Sequence, residues 1–216
     1  MTNKAAKNND SAGTKGRIVA AATRLFAEKG YLGTGIRDIE DAVGIRRGAL
    51  YYHIGNKENL LYEISHGQIT PMNERAGEIV DSDLPAERKL RAMAHLLMQA
   101  IVDNQLATTV FFRDWIWLEG ERRAEILAIR DEFEKHVERI IEEGVAAGTW
   151  ADRGPLVTKG VLGMLNHTYV WFRPDGSVTA DELADTFTDI LLYGLGPNRA
   201  GTDPANSMKT SLSSTP

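Results

Sequence analysis

The chain has 216 residues, 43% of them hydrophobic and 25% charged, with a formal net charge of -5 and no cysteine. Such a composition belongs to a folded globular protein and excludes a fibrous repeat, a disulfide scaffold, a thiolate metal site and a cysteine nucleophile. The charge is unevenly placed: Met1 to Lys57 hold ten Lys and Arg against five Asp and Glu, and the remainder holds fifteen against twenty-five, so a basic head suited to a polyanion precedes an acidic body.

Residues 1–13 are small, polar and aperiodic and read as a flexible tail. Thr14 is the expected N-cap of a first helix. Ile18, Ala22, Leu25 and Phe26 give that helix an apolar stripe at i, i+4, i+7 and i+8, and Gly30 stops it. A short second helix is predicted from about Gly35 to Val43, capped by Thr34, with Ile36, Ile39 and Val43 on its buried side and Gly44 ending it in left-handed geometry. A third follows at once, from Arg47 to about His53. Two short helices joined by a three-residue, glycine-containing turn spell a helix-turn-helix.

Asn56 can cap a fourth helix carrying Leu60, Leu61 and Ile64, which runs to Pro71 or kinks there. Further helices are marked by Leu90, Met93, Ala94, Leu97, Met98 and Ile101, and by Ile126, Ile129, Phe133, Val137, Ile140 and Ile141, the latter ending near Gly144 or Gly148. Two more are predicted, from about Pro155 to Phe172 and from Asp181 to Tyr193, and residues 198–216 read as a second flexible tail. No segment alternates as a sheet strand does, so the expected fold is all-α, with a three-helix DNA-binding domain over 14–62 and a larger helical domain over 63–197. No run of about 18 apolar residues is present and the first residues lack the apolar core of a secretory signal, so a cytoplasmic protein without a membrane partner is expected.

The segment "TGIRDIEDAVGIRRGALYYHIGNKENLL", Thr34 to Leu61, lying behind "AATRLFAEKGY", resembles the DNA-binding domain of the TetR family of bacterial transcriptional regulators. Its most specific piece is "GALYYH" followed after three residues by "KENLL", which is similar to that family's recognition helix and the start of its fourth helix. A seven-residue helix is about 10 Å long, enough to lie across a major groove with its N-terminal residues toward the bases. Arg47 could pair with a guanine edge, Gly48 lets the backbone approach, and Tyr51, Tyr52 and His53 have the length to reach phosphates or a thymine methyl. Lys57 and Thr34 stand at helix starts where a phosphate is favoured. The resemblance implies DNA contacts at Thr34, Arg47, Gly48, Tyr51, Tyr52, His53 and Lys57, with Arg37 and Arg46 as further partners. Two positions depart from the family habit: Arg46 replaces a capping serine or threonine, and Ile54 replaces a phenylalanine.

The resemblance also implies a homodimer paired through its last two helices and bound to a palindromic operator. The expected interface is Val157, Val161, Leu165, Leu183, Phe187, Ile190 and Leu191. Aromatic clusters at 111–123 and 166–176 suggest either core or a ligand cavity between helices, with Phe111, Phe112, Arg113, Trp115, His167, Tyr169 and Trp171 as candidates and Arg122 or Arg123 available for an anion. The "WFRPDG" stretch looks like family members that respond to acyl-CoA thioesters; drug-like, flavonoid-like and hydrophobic acid ligands are the alternatives. The expected function is repression relieved by such a small-molecule inducer.

No catalytic motif of the nucleophile-elbow, P-loop, dinucleotide or zinc-protease kind is present, so an enzyme is not expected, nor is a cofactor. A metal-responsive regulator built on His95, His136, His167 and Asp103, a transcriptional activator and an architectural DNA protein are the competing readings; no metal site is expected.

Overall fold

The computed structural model describes residues 2–195. The elements in order are α1 (Thr2–Lys29), α2 (Ile36–Val43), α3 (Arg47–Ile54), α4 (Lys57–Asp81), α5 (Ala86–Asp103), α6 (Gln105–Asp114), a 3-10 turn (Trp115–Trp117), α7 (Gly120–Ala146), α8 (Leu156–Asn166), a second 3-10 turn (His167–Val170) and α9 (Ala180–Tyr193). No strand occurs among the described residues, and the fold is all-α. The predicted tail at 198–216 lies outside the described residues.

The helix ends follow local chemistry. Gly44 closes α2 in the left-handed region at φ 73°, with its N–H on the carbonyl of Glu40. Asn56 caps α4, its side chain accepting the Asn59 N–H at 2.8 Å. Thr179 and Glu182 cap the start of α9 reciprocally.

Four expectations need correction. First, α1 passes through Thr14 and begins at Thr2, so residues 2–13 continue the helix; Lys4, Ala5, Ala6, Lys7 and Ala12 all favour helix. Second, Thr34 does not cap α2. Gly35 holds that position and the Asp38 carboxylate accepts its N–H at 2.7 Å, because the Thr34 hydroxyl points inward, toward the carbonyls of Leu25 and Gly30. Third, α4 does not stop at Pro71: the proline is exposed, and buried Met72, Ala76 and Val80 hold the distal half against the body. Fourth, α8 ends at Asn166, where the chain tightens into the 3-10 turn that precedes buried Phe172.

Two apolar cores lie along α4. One joins α1, α2, α3 and the start of α4 to Ala107, Val110, Phe111, Leu118 and Ile126 from the body. The other packs the second half of α4 with α5, α7, α8 and α9. The basic head therefore shares its core with the residues around α6, and a movement of α6 is felt inside it.

Candidate nucleic-acid interface and ligand cavity

Leu50 and Ile54 anchor α3 to the head, at 0% and 3% exposure. With those two positions turned inward, the remaining face of α3 is left to solvent. Tyr52 is 82% exposed and meets only the edge of His53; Tyr51 is exposed as well, and His53 is half-buried. Gly48 faces open space, with no atom within 4 Å of where a Cβ would stand. No packing within the head explains the absence of a side chain there, whereas a backbone that must approach another molecule does.

Arg46 is the N-cap residue of α3, exposed and without a side-chain cap bond, as the missing serine or threonine leads one to expect. Arg47 donates through Nε to Glu40 at 3.0 Å, which ties α3 to α2 and leaves its two terminal nitrogens without a partner among the described residues. Arg37 is exposed on α2. These residues form one outward surface with the tyrosines, rich in donors for phosphate and base edges.

Two predicted contact residues are differently engaged. Thr34 is 1% exposed, so its hydroxyl serves the α1–α2 turn and is not offered outward. The Lys57 ammonium donates to the carbonyls of Tyr31 and Thr34 at 2.7 and 2.8 Å and lies 4.1 Å from the centre of the Tyr31 ring. Partial burial moves its pKa down. One of its three N–H groups remains for a phosphate.

The body contains a partly open cavity of ≈ 250 Å³ bounded by residues of α4 to α8. Of the predicted lining, Phe111, Phe112 and Trp115 are there. The others are not. Tyr169 stacks on the far side of Phe112 at 5.1 Å, Trp171 is half-exposed against Phe187, and His167 is exposed. Arg113 reaches away from the cavity to the last carbonyls of α1, those of Phe26 and Ala27, and to Asp114. Arg122 is paired with Glu58, and Arg123 bonds the carbonyl of Ile116.

The wall carries Asp131 and the Lys159–Glu134 pair, and its remaining polar groups are Arg130 on α7 and Asn166 on α8. Sequence reasoning passed over both. Arg130 lies four residues beyond Ile126 and three before Phe133, squarely on the buried side of α7, which was the available signal.

Between cavity and head lies a polar joint. Asp114, 3% exposed at the end of α6, accepts the Tyr31 N–H at 3.2 Å and is paired with Arg113 at 2.9 Å. The carbonyl of the same Tyr31 accepts from Lys57. A single residue of the α1–α2 turn thus connects the cavity wall, through neighbours of Phe112 and Trp115, with the start of α4.

The predicted dimer residues divide. Val161, Leu165 and Leu183 are 3%, 0% and 5% exposed and belong to the body's core, because α8 packs Val161 and Leu165 against α7 and α5, and α9 lays Leu183 on α5. Val157, Phe187, Ile190 and Leu191 are partly exposed. The solvent face of α8 is instead Leu156, Gly160, Gly163 and, just past its end, His167, spaced i, i+4, i+7 and i+11. Of the histidines, His95 lies between Asp181 and Asp185 at 2.9 and 3.0 Å, and His136 packs beside Gly77. No three His, Asp or Glu side chains converge as metal ligands among the described residues, and no helix of the described residues is long and apolar enough to cross a membrane.

Comparison with known proteins bears on both halves. Residues 18–64 match the family model for bacterial regulatory proteins of the tetR family, and residues 83–195 match that for the tetracyclin repressor-like C-terminal domain. The chain is 32% identical over 195 residues to the HTH-type transcriptional repressor KstR2 of Rhodococcus jostii strain RHA1, covering 87% of this chain and 95% of that one. It is similar in structure to the TetR family regulator PfmR of Thermus thermophilus, with TM-score 0.77 and 32% identity over 84% of this chain and 100% of the other. It also resembles AibR, solved in complex with isovaleryl coenzyme A and operator DNA, with TM-score 0.75 and 26% identity over 83% of this chain and 98% of the other.

Proposed function

The chain belongs to the TetR family of bacterial transcriptional regulators, and from that premise we propose a repressor that binds a palindromic operator as a homodimer and leaves it when a hydrophobic ligand, of the acyl-CoA type, enters the cavity of the body. Its matched relatives are DNA-binding regulators and not enzymes. The observation that carries the reading is the outward surface of α2 and α3, where Arg37, Arg46, Arg47, Tyr51 and Tyr52 are exposed and Gly48 faces open space, combined with a joint that connects this head to a ligand-sized space.

In this reading Arg46, Arg37 and the free donor of Lys57 hold phosphates, while Arg47 and the tyrosines meet base edges. Ligand in the cavity displaces Phe112 or Trp115, and the rigid pairing of Arg113 and Asp114 carries that displacement to Tyr31 and so to the start of α4. Each head turns with its α4, and the two heads no longer match the spacing of two half-sites. A ligand shifts such an equilibrium only by its preference for the displaced form; a preference of about 100-fold supplies roughly 2.7 kcal/mol. The liganded AibR structure supports coenzyme A thioesters as the first class to test.

The test is selection of duplexes from a random pool by the purified protein, followed by fluorescence anisotropy on the winning site with and without isovaleryl-CoA and longer acyl-CoA esters. A palindromic site bound by a dimer and released by a thioester is expected. A monomeric protein, or release by none of them, would count against the proposal. Higher expression of the genes adjoining that site in cells carrying the protein than in cells lacking it would mean an activator.

A further inference from the structure

Two groups on the cavity wall keep hydrogen-bonding capacity that the protein itself does not use. Arg130 sits over the rings of Trp115 and Phe111, at 4.5 and 5.4 Å from their centres. Its five N–H donors have no acceptor among the described residues. Asp131 and Glu134 act on it only through space, and Glu134 is taken by Lys159 at 2.6 Å. Burial moves its pKa down, against the opposing pull of those two carboxylates. Asn166, on the opposite helix, has a side-chain oxygen closed off from solvent and without a donor. A buried acceptor left open costs more than one that is paired, so this carboxamide gains from a ligand donor within the reach of a rotation about its own side-chain bonds.

Volume limits what enters. A cavity of roughly 150 Å³ accommodates one benzene ring, and this one measures ≈ 250 Å³. A chain of about six to eight carbons, or one ring with a short tail, is the matching size; the nucleotide half of a coenzyme A conjugate remains outside.

We infer that the cavity selects a short acyl chain with an oxygen acceptor for Arg130, a thioester carbonyl or a carboxylate, and a hydrogen-bond donor such as a hydroxyl on the chain for Asn166. This rests on the ligand-responsive reading above and narrows it to hydroxylated short acyl groups. The apolar wall, with Ile69, Met72 and Leu162 beside the aromatic rings, accepts the rest of the chain.

The test measures binding of hexanoyl-CoA, both enantiomers of 3-hydroxyhexanoyl-CoA and free 3-hydroxyhexanoate to the intact protein, by the change in tryptophan fluorescence, to which Trp115 on the cavity wall contributes, and by release of operator DNA. One hydroxylated enantiomer is expected to bind about tenfold more tightly than hexanoyl-CoA, the effect of one buried hydrogen bond. Asn166→Leu should erase that preference while still binding hexanoyl-CoA, without a lower melting temperature, since it removes an unpaired polar atom. Arg130→Met, which keeps an apolar stem over the rings, should weaken all acyl probes about tenfold or more; comparison of free acid with thioester identifies which acceptor Arg130 takes. Equal binding of plain and hydroxylated chains, or a preference that survives Asn166→Leu, overturns the inference and leaves the ligand-responsive reading standing. Failure of every acyl probe to bind and release the operator overturns both.

Discussion

Tyr52 leaves 82% of its surface in water with only a neighbouring histidine edge against it, and Arg47 keeps two free nitrogens beside it. Lys57 contrasts with both, since its ammonium already holds the carbonyls of Tyr31 and Thr34. The two cations therefore predict different outcomes. Arg47→Ala breaks one exposed ion pair that water already screens, so melting is unchanged, while base preference at one operator position falls about 5- to 150-fold. Lys57→Met leaves two carbonyls without their donor and removes a charge. It should lower the melting temperature by roughly 2–12 °C, from about 1–3 kcal/mol at 2–4 °C per kcal/mol. Binding should weaken alike on all duplexes, with the salt slope shallower by about one unit. Melting curves and anisotropy on matched and mutated operators separate them; identical behaviour of the two variants refutes the division of roles. Thr34 shows why residue type alone misled: a threonine ahead of a helix has the form of a cap, yet its hydroxyl donates to the carbonyls of Leu25 and Gly30 instead.

At the scale of elements, α6 joins the cavity to the head. Its middle contributes Phe111 and Phe112 to the cavity wall, and its end presents Asp114 to Tyr31. Asp114→Asn keeps the shape but removes the charge that pairs Arg113. The ligand should still bind, within a few-fold by tryptophan fluorescence, yet no longer dislodge the operator, because the coupling between sites, typically about 1–3 kcal/mol, runs through that contact. Linkage supplies a second check: operator DNA should then cease to weaken ligand binding. Normal release by the variant would show that the signal travels elsewhere. Much of this architecture was legible in sequence. Gly44 and Asn56 have no apolar partner to mislead the reader, and they end and begin their helices as their chemistry dictates. Arg130 was not legible, since an arginine on a helix is read as solvated unless its register against the apolar stripe is checked. Arg113, Arg122 and Arg123 looked equally available to a ligand, and only three-dimensional placement reveals that carbonyls and Glu58 already hold them.

For the molecule as a whole, the split of charge puts an attractive head on a body that DNA repels, so orientation on the duplex is imposed before any contact forms. In the proposed dimer, affinity then depends on joining two heads. Apolar spacing in α8 and α9 could not say which residues join them, because each helix has an inward apolar face of its own, and Val161, Leu165 and Leu183 went to it. The outward face of α8 is the better candidate: Leu156 is 79% exposed, and Gly160 and Gly163 offer bare backbone with nothing within 4 Å of either Cβ position. Small residues along a helix face let a second helix come close. This arrangement permits a clean experiment, because Gly160→Lys meets no atom of its own chain and replaces glycine in a helix by a better former, gaining about 0.5–1 kcal/mol of helix propensity. A protomer that folds at least as well is expected, with unchanged helicity. The lysine nonetheless places a charged chain where the partner helix must lie, and burying it without an anion is unfavourable. Analytical ultracentrifugation should find monomer at concentrations where the parent is dimeric, and operator affinity should drop about 10²- to 10⁴-fold, the gain that linkage of two binding heads supplies. A Gly160→Lys protein that stays dimeric and binds its operator as before would move the interface off this face of α8.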